Sequence, residues 1–244
     1  MSKLVDQTFD IGLGVVNEIH NTQAEQLEAA GKMIAEAHHN GNTFYVTGSG
    51  HSHSVAEEFY GRAGGLAFVV PIMTTELTLN EHPTKSTYIE NLSGYAHILV
   101  ELYKIGKGDV VLIASNSGRN AYPVELAVEA KQLGAKVIAI TNTKHSLNSK
   151  PRNIHDKRLM EVADIVIDNC GEIGDSATYF DGINLPMYPT SSIANAFICG
   201  AISVICANAL ATYGDEVEVF VSANVDGGFE KNSAFMEKYG RMYK

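Results

Sequence analysis

The chain has 244 residues and a net charge of −10, from 18 Lys and Arg against 28 Asp and Glu. This charge argues against a broad surface for nucleic acid or anionic membranes, because such surfaces need clustered positive charge. Hydrophobic residues make up 45% of the chain and charged residues 19%, a composition that favours a folded core over disorder.

The three cysteines form no disulfide framework and no Cys-x-x-Cys metal pair, which favours a reducing setting. We predict no secretory signal in the N-terminal sequence. The uncharged segment 193–211 is rich in Ala and carries Asn195, Ser203 and Asn208, so a buried helix explains it better than a membrane span. These features predict a cytoplasmic protein without nucleic-acid or membrane partners.

Predicted helices and short apolar strands alternate along the chain. A helical region covers residues 2–39, with breaks indicated by Gly12, Gly14 and Gly31. Strands are predicted at 43–47, 66–72, 110–114, 136–140 and 163–167, with a sixth, edge strand at 217–221. Further helices are predicted at 52–63, 88–105, 123–133 and 191–213, and the tail 222–244 is expected to be partly helical.

Alternating apolar strands and helices indicate a parallel sheet with helices on both faces. We therefore predict a single α/β domain over residues 1–244: an N-terminal helical arm at 1–40, a body at 41–213 and a C-terminal tail at 214–244. Ligands of such sheets bind at the carboxyl ends of the strands, so turns at that edge are the first places to look for a site.

The first such turn is Gly48-Ser49-Gly50-His51-Ser52-His53. Glycines let backbone N–H groups face a ligand, and the start of the next helix favours an anion. The turn is not a dinucleotide motif, because His53 stands where that motif needs its third glycine, and the chain has no GxxxxGK[ST] loop. An ordinary turn capped by Ser52 explains the sequence equally well.

A second turn, Ser115-Asn116-Ser117-Gly118-Arg119-Asn120, also lies between a predicted strand and helix. Its small side chains can donate hydrogen bonds to phosphate oxygens, and their number exceeds what helix capping needs. A third turn, Thr190-Ser191-Ser192, precedes the Ala-rich helix. Capping explains this third turn better than ligand contact does.

Together these turns resemble the sugar isomerase (SIS) domain, in stretches that cover nearly the whole chain: TFYVTGSGHSHSVAEEFYGRAGGL, KGDVVLIASNSGRNAYPVELAVEAKQLGAKVIAITNT and EVADIVIDN. The resemblance is greatest to stand-alone, phosphoheptose isomerase-like members. It implies a three-layer α/β/α sandwich with a flavodoxin-like, five-stranded parallel sheet. It also implies a homodimer or homotetramer that binds a sugar phosphate.

The resemblance assigns roles to individual residues. It implies phosphate binding by the turns after the first and third strands, through Ser49, Gly50, Ser115, Asn116, Ser117 and Asn120. In phosphoheptose isomerases the second Glu of AEE-x-x-GR is the catalytic carboxylate, and here that residue is Glu58. Etherases that cleave N-acetylmuramic acid 6-phosphate share part of the SGRN-x-Y pattern and place a Glu where this chain has Glu90.

Each candidate has a simpler explanation. Glu58 has the spacing for an ion pair with Arg62, and Glu90 lies just past the capping-box position of Ser86. His155 is one of two histidines after the fourth strand, with His145, that could transfer a proton. Contacts to sugar hydroxyls are expected from polar groups of the three turns, namely His51, His53, Gly118, Ser191 and Ser192.

One departure from the family bears on the chemistry. Phosphoheptose isomerases carry a Gln and a His on the C-terminal helix, and residues 191–213 contain neither. His53 and Glu57 have i, i+4 spacing, but a third and fourth metal ligand are not evident, so no metal or other cofactor is predicted. The leading hypothesis is a phosphosugar aldose–ketose isomerase in which Glu58 moves a proton between adjacent carbons through an enediol(ate), while Glu90 or a His assists ring opening. A phosphosugar lyase or etherase and a non-catalytic phosphosugar sensor are the alternatives.

Overall fold

The computed structural model describes residues 3–240 of the chain, so residues 1, 2 and 241–244 of the predicted arm and tail lie outside it. Five parallel strands form one sheet in the order β2-β1-β3-β4-β5. They are β1 (Phe44–Gly48), β2 (Val69–Ile72), β3 (Val110–Ala114), β4 (Lys136–Thr141) and β5 (Ile165–Asp168). This confirms the predicted flavodoxin-like α/β sheet.

Helices cover both faces of the sheet, because alternate side chains of each strand point to opposite sides. One face, with Val46 and Leu112, packs on α1 (Lys3–Thr22), α2 (Ala24–His39), α3 (Ser54–Phe59) and α8 (Ser191–Tyr213). The other, with Tyr45 and Ile113, packs on α4 (Lys85–Glu90), α5 (Tyr95–Tyr103) and α6 (Ala121–Gln132). The helix α7 (Thr143–Leu147) follows β4, and α9 (Gly228–Tyr239) forms the tail.

The longest helix, α8, joins the N-terminal arm to the body. Gly31 of α2 lies against Ile205 of α8, and a Cβ at Gly31 would come within 2.6 Å of the Ile205 side chain. In the described part of the chain, α8 is the one helix long and apolar enough to cross a membrane. Its buried side chains, such as Ile198 and Ile202, lie in the same core as α2 and β3, which is how a helix inside a globular domain packs.

Several predicted elements differ from the structure. The arm 2–39 is two helices that part at Gln23 rather than at a glycine, and the predicted helix 88–105 is two, α4 and α5, separated by a left-handed Gly94. The predicted edge strand 217–221 is wrong: it adds no strand to the sheet, and Val219 makes only an isolated antiparallel bridge to Leu66. A short hairpin of β6 (Ser176–Thr178) and β7 (Met187–Pro189) lies where the sequence predicts no strand.

Candidate functional site

The two Ser-rich turns meet at one point of the sheet edge. Strands β1 and β3 are neighbours, with Gly48 paired to Ala114, so Ser49 and Ser115 leave the sheet side by side. From β1 the chain goes to β2 on one side and then returns to β3 on the other. Such a reversal of strand order opens a crevice at the carboxyl ends of the strands, where α/β proteins bind ligands.

A single carboxylate bridges the two turns. The Ser49 hydroxyl donates to Oε2 of Glu90 at 2.5 Å, and the Asn120 amide Nδ2 donates to Oε1 at 2.8 Å. Asn120 directly precedes α6, but its side chain makes no capping hydrogen bond. Its amide is committed to Glu90 instead, so capping does not account for this residue.

Burial sets the proton affinity of Glu90. Its side chain is partly buried, and loss of solvent raises the pKa of the carboxyl group above its ordinary value. The Ser49 hydroxyl, the Arg152 charge and the Asn120 amide oppose this rise by smaller amounts. A carboxyl group whose pKa is raised toward neutrality can both accept and return a proton.

The second turn, whose Asn120 contacts Glu90, has further hydrogen-bond donors. The Ser115 hydroxyl accepts from the Gly118 N–H at 3.2 Å, so its own proton stays available. The Asn116 side-chain oxygen accepts from Asn169 at 2.8 Å, which leaves the Asn116 amide N–H groups to donate. Ser117 is partly exposed. The turn thus offers several neutral donors from which a phosphate group could accept hydrogen bonds.

Comparisons with known proteins identify the family of the chain. A family model described as the SIS domain matches residues 10–142. A UPF0309 protein of Halalkalibacterium halodurans is 41% identical over 225 residues, covering 92% of this chain and 93% of the relative. The chain is a UPF0309 member of the SIS-domain family. A UPF0309 protein of Shouchella clausii is 39% identical over 240 residues, covering 98% and 93%.

Solved structures show the same fold for this SIS domain. The phosphoheptose isomerase of Neisseria gonorrhoeae superposes with a TM-score of 0.55 at 17% identity, covering 86% of this chain and 98% of that one. The phosphoheptose isomerase of Francisella tularensis gives 0.51 at 17% identity, covering 87% and 100%. At these identities the likeness establishes the fold alone.

The other candidate carboxylate of this SIS domain, Glu58, lies elsewhere. It forms an i, i+4 ion pair with Arg62, and both side chains line a groove of about 720 Å³ along α8. Phe197 and Val204 of α8 form part of the apolar wall of that groove. Within residues 3–240, no hydrogen bond or ion pair joins Glu58 to either Ser-rich turn.

Of the two histidines of the first turn, His53 faces its own backbone and α3. The His53 ring Nδ1 is hydrogen-bonded to the Gly50 carbonyl, and Nε2 lies 3.1 Å from Glu57, as the i, i+4 spacing predicts. His51 is exposed. Among the described residues no group of three or more His, Cys, Asp or Glu is placed to hold a metal ion.

The remaining candidates lie away from the Glu90 contacts. Ser191 is committed to Asp175, accepting nothing from the turns: its hydroxyl donates to Oδ2 at 2.7 Å and its N–H to Oδ1 at 2.9 Å. Ser192 is exposed. The one hydrogen bond of His155 found over residues 3–240 is from its backbone N–H to Asn153, at 3.1 Å. A direct role for these three remains a prediction from sequence.

An acid-lined cavity lies between α1 and the β6–β7 hairpin. It has a volume of about 570 Å³, and its walls carry Asp10, Glu18 and Glu172 against one base, Lys144. Three carboxylates facing one ammonium group oppose a phosphate dianion. The cavity therefore fits the predicted ligand less well than the Ser-rich turns do.

One basic residue that acts on Glu90, Arg152, is not predicted by the sequence analysis. Arg152 lowers the pKa of Glu90, and its backbone N–H donates to the carbonyl of Arg119 at 2.8 Å. No motif surrounds Arg152 in the sequence, so only the fold could show that it lies beside the second turn.

Proposed function

We propose that the chain binds a sugar phosphate at the two Ser-rich turns and interconverts its aldose and ketose forms. The observation that carries this proposal is the Glu90 carboxyl group, held by Ser49 and Asn120 at the strand switch point with a raised pKa. The phosphoheptose isomerases among the structural neighbours and the SIS-domain match support the same class of ligand.

In this mechanism, Ser115, Asn116, Ser117 and the first turn of α6 hold the phosphate. Binding energy from the phosphate, which does not react, positions the carbonyl end of the sugar at Glu90. The Glu90 carboxylate removes the proton from the carbon next to the carbonyl, leaving an enediolate. The carboxyl group then returns that proton to the neighbouring carbon, while a hydroxyl proton moves between the two substrate oxygens.

A second candidate is elimination of a group from a phosphosugar, as a lyase or etherase. It is favoured by the position of Glu90, rather than Glu58, in the crevice, and by Arg119 after Ser117-Gly118. The first step is the same proton removal, so Glu90 serves both reactions. Product analysis separates them, because isomerisation releases nothing whereas elimination releases an acid or amine.

The chain is also proposed to form a homodimer or homotetramer in the cytoplasm. Apolar side chains of two helices remain exposed in the single subunit, including Phe9 (65% exposed) of α1 and Val204 (70%) of α8. A second copy of the chain would cover such a face. The three free cysteines fit a reducing compartment.

The test is a thermal-shift panel of sugars with and without phosphate, followed by turnover assays of the stabilising ligands. Stabilisation by the phosphorylated members alone is expected, since a ligand that binds only the folded state raises Tm. Glu90→Gln is then expected to abolish turnover while binding persists. Glu101→Gln, a matched change on an exposed face of α5, controls for the loss of one charge.

Three other outcomes point elsewhere. Equal shifts by free and phosphorylated sugars would overturn the phosphate site. Loss of turnover in Glu58→Gln instead of Glu90→Gln would place the base on α3. Binding without any turnover, unaffected by Glu90→Gln, would favour a sensor.

A further inference from the structure

Two arginines beside the second turn have no acidic partner. Of the four arginines in residues 3–240, Arg62 and Arg158 form ion pairs with glutamates. Arg119 and Arg152 form none, in a chain that carries ten more acidic than basic residues. The two unpaired arginines are also the two that lie next to each other.

The backbone holds this pair together. The Arg152 N–H donates to the Arg119 carbonyl at 2.8 Å, and Asn120 and Arg152 form a parallel bridge. The Asn153 amide also donates to the Arg119 carbonyl, at 3.0 Å. Arg119 Nε is a buried donor without a hydrogen-bond partner in the described structure. A buried donor of this kind costs free energy unless a ligand satisfies it.

The nearby carboxylate does not satisfy the pair. Both oxygens of Glu90 already accept hydrogen bonds from neutral donors, Ser49 and Asn120. Arg152 influences Glu90 through its charge but forms no ion pair with it in the described residues. The two guanidinium groups also repel each other. Burial is the larger cause of the lowered pKa of Arg119, and the charge of Arg152 is the second. An anion between them would relieve this repulsion.

His145 is a neighbouring basic side chain whose pKa is lowered. Its ring Nδ1 accepts from the Gly174 N–H at 3.1 Å, and burial followed by the Arg119 charge lowers the pKa of the imidazole. The neutral ring then carries its proton on Nε2. Positive charge at this end of the crevice is supplied by the two guanidinium groups.

We infer that Arg119 and Arg152 bind a carboxylate on the substrate, so that the ligand is a sugar phosphate with a second anionic group. This inference rests on the proposed function and deepens it. A guanidinium fork matches a carboxylate as well as a phosphate. Because the proposed function assigns the phosphate to Ser115, Asn116 and Ser117, we assign the carboxylate to the arginines. Both anions would thus be held at the turn whose Asn120 contacts Glu90, which fixes the substrate at two points beside the base.

Calorimetric titration with two open-chain probes tests this assignment. Glucitol 6-phosphate and 6-phosphogluconate have the same carbon count and differ only in a hydroxymethyl group against a carboxylate. The wild-type chain should bind 6-phosphogluconate at least about tenfold more tightly, the range of one charge-assisted pair. Arg152→Gln and Arg119→Gln should each remove most of this preference, with little change for glucitol 6-phosphate.

Two control variants separate the possible failures. Ser115→Ala should weaken both probes equally, and Lys107→Gln, on the opposite edge of the sheet, should change neither. Equal affinity of the wild-type chain for both probes, or equal weakening of both by Arg152→Gln, would overturn the carboxylate site while the phosphosugar function stands. Failure of the wild-type chain to bind either probe would overturn both.

Discussion

Replacing Glu90 separates its chemical role from its structural one. In Glu90→Gln, the amide nitrogen can donate to Ser49 Oγ and the amide oxygen can accept from Asn120, so both hydrogen bonds of the native carboxylate persist. In Glu90→Ala both partners are left without Glu90. Hydrogen bonds to a charged group contribute about 1.5–3 kcal/mol each, partly offset here because a buried carboxylate is removed.

We therefore expect the two variants to differ in stability but not in activity. Glu90→Ala should lower the free energy of unfolding by about 1–3 kcal/mol. Glu90→Gln should not lower it at neutral pH, because the raised pKa means that the charged form of Glu90 costs stability there. Any gain in the free energy of unfolding of Glu90→Gln over wild type should disappear as the pH falls below the ordinary Glu pKa of about 4.3. There Glu90 of the wild-type chain is protonated in both the folded and the unfolded state.

Both variants should lose turnover, by about 10²–10⁴ in kcat/KM, the usual contribution of a general acid–base group. The assays are urea unfolding at pH 4 and pH 7 and steady-state kinetics on the phosphosugar that the panel identifies. Full turnover in Glu90→Gln would refute the assignment of the base. The free energy of unfolding of Glu90→Gln minus that of wild type is expected to be higher at pH 7 than at pH 4. A lower difference at pH 7 would refute the inference that burial raises the pKa of Glu90.

Three further predictions concern the pH profile, the first turn and the exposed helix face. The acid limb of the kcat/KM profile should lie above the ordinary Glu pKa of about 4.3, since burial raises the pKa of Glu90 and the base form is lost as the pH falls through it; a limb at or below that value would contradict this. Gly48→Ala should lower the free energy of unfolding by about 1–3 kcal/mol, because its Cβ would overlap the Ser52 carbonyl; Gly14→Ala, in open space within α1, should stabilise instead, and urea unfolding compares the two. Val204→Asp on α8 should yield monomers by analytical ultracentrifugation, whereas Leu133→Asp, equally charged and 47% exposed after α6, should not; an unchanged assembly in both would move the interface elsewhere.

The strands of this fold are predictable because their side chains are buried on both faces. Strand β3 matches its predicted bounds because it is a continuous apolar run, Val110–Ala114. The helix at 191–213 also matches, because Gly214 directly follows its last residue. The segment 217–221 has the composition of a strand too, but tertiary contacts leave it a single bridge to Leu66. The composition of a segment does not show whether the sheet has a free edge strand with which that segment could pair.

The site shows the same limit. The two turns are predictable because strand ends concentrate Ser, Gly and Asn, and the fold brings them together as the parallel sheet requires. The choice between Glu58 and Glu90 as the base is not predictable from sequence. Both lie on short helices, and each has a nearby residue, Arg62 or Ser86, that gives it a simpler explanation. Only the fold shows that α3 turns Glu58 toward α8 whereas α4 turns Glu90 toward Ser49 and Asn120.

The packing of α2 on α8 has a consequence for how the chain is made. The two helices form one core although more than half of the chain lies between them. During synthesis α2 leaves the ribosome early, and its apolar side chains stay without their α8 partner until α8 has emerged. Chains that stop short of residue 191 should therefore leave that side of α2 uncovered, a state open to chaperone capture and aggregation. The core between α2 and α8 can therefore form only after residues 191–213 have been synthesised.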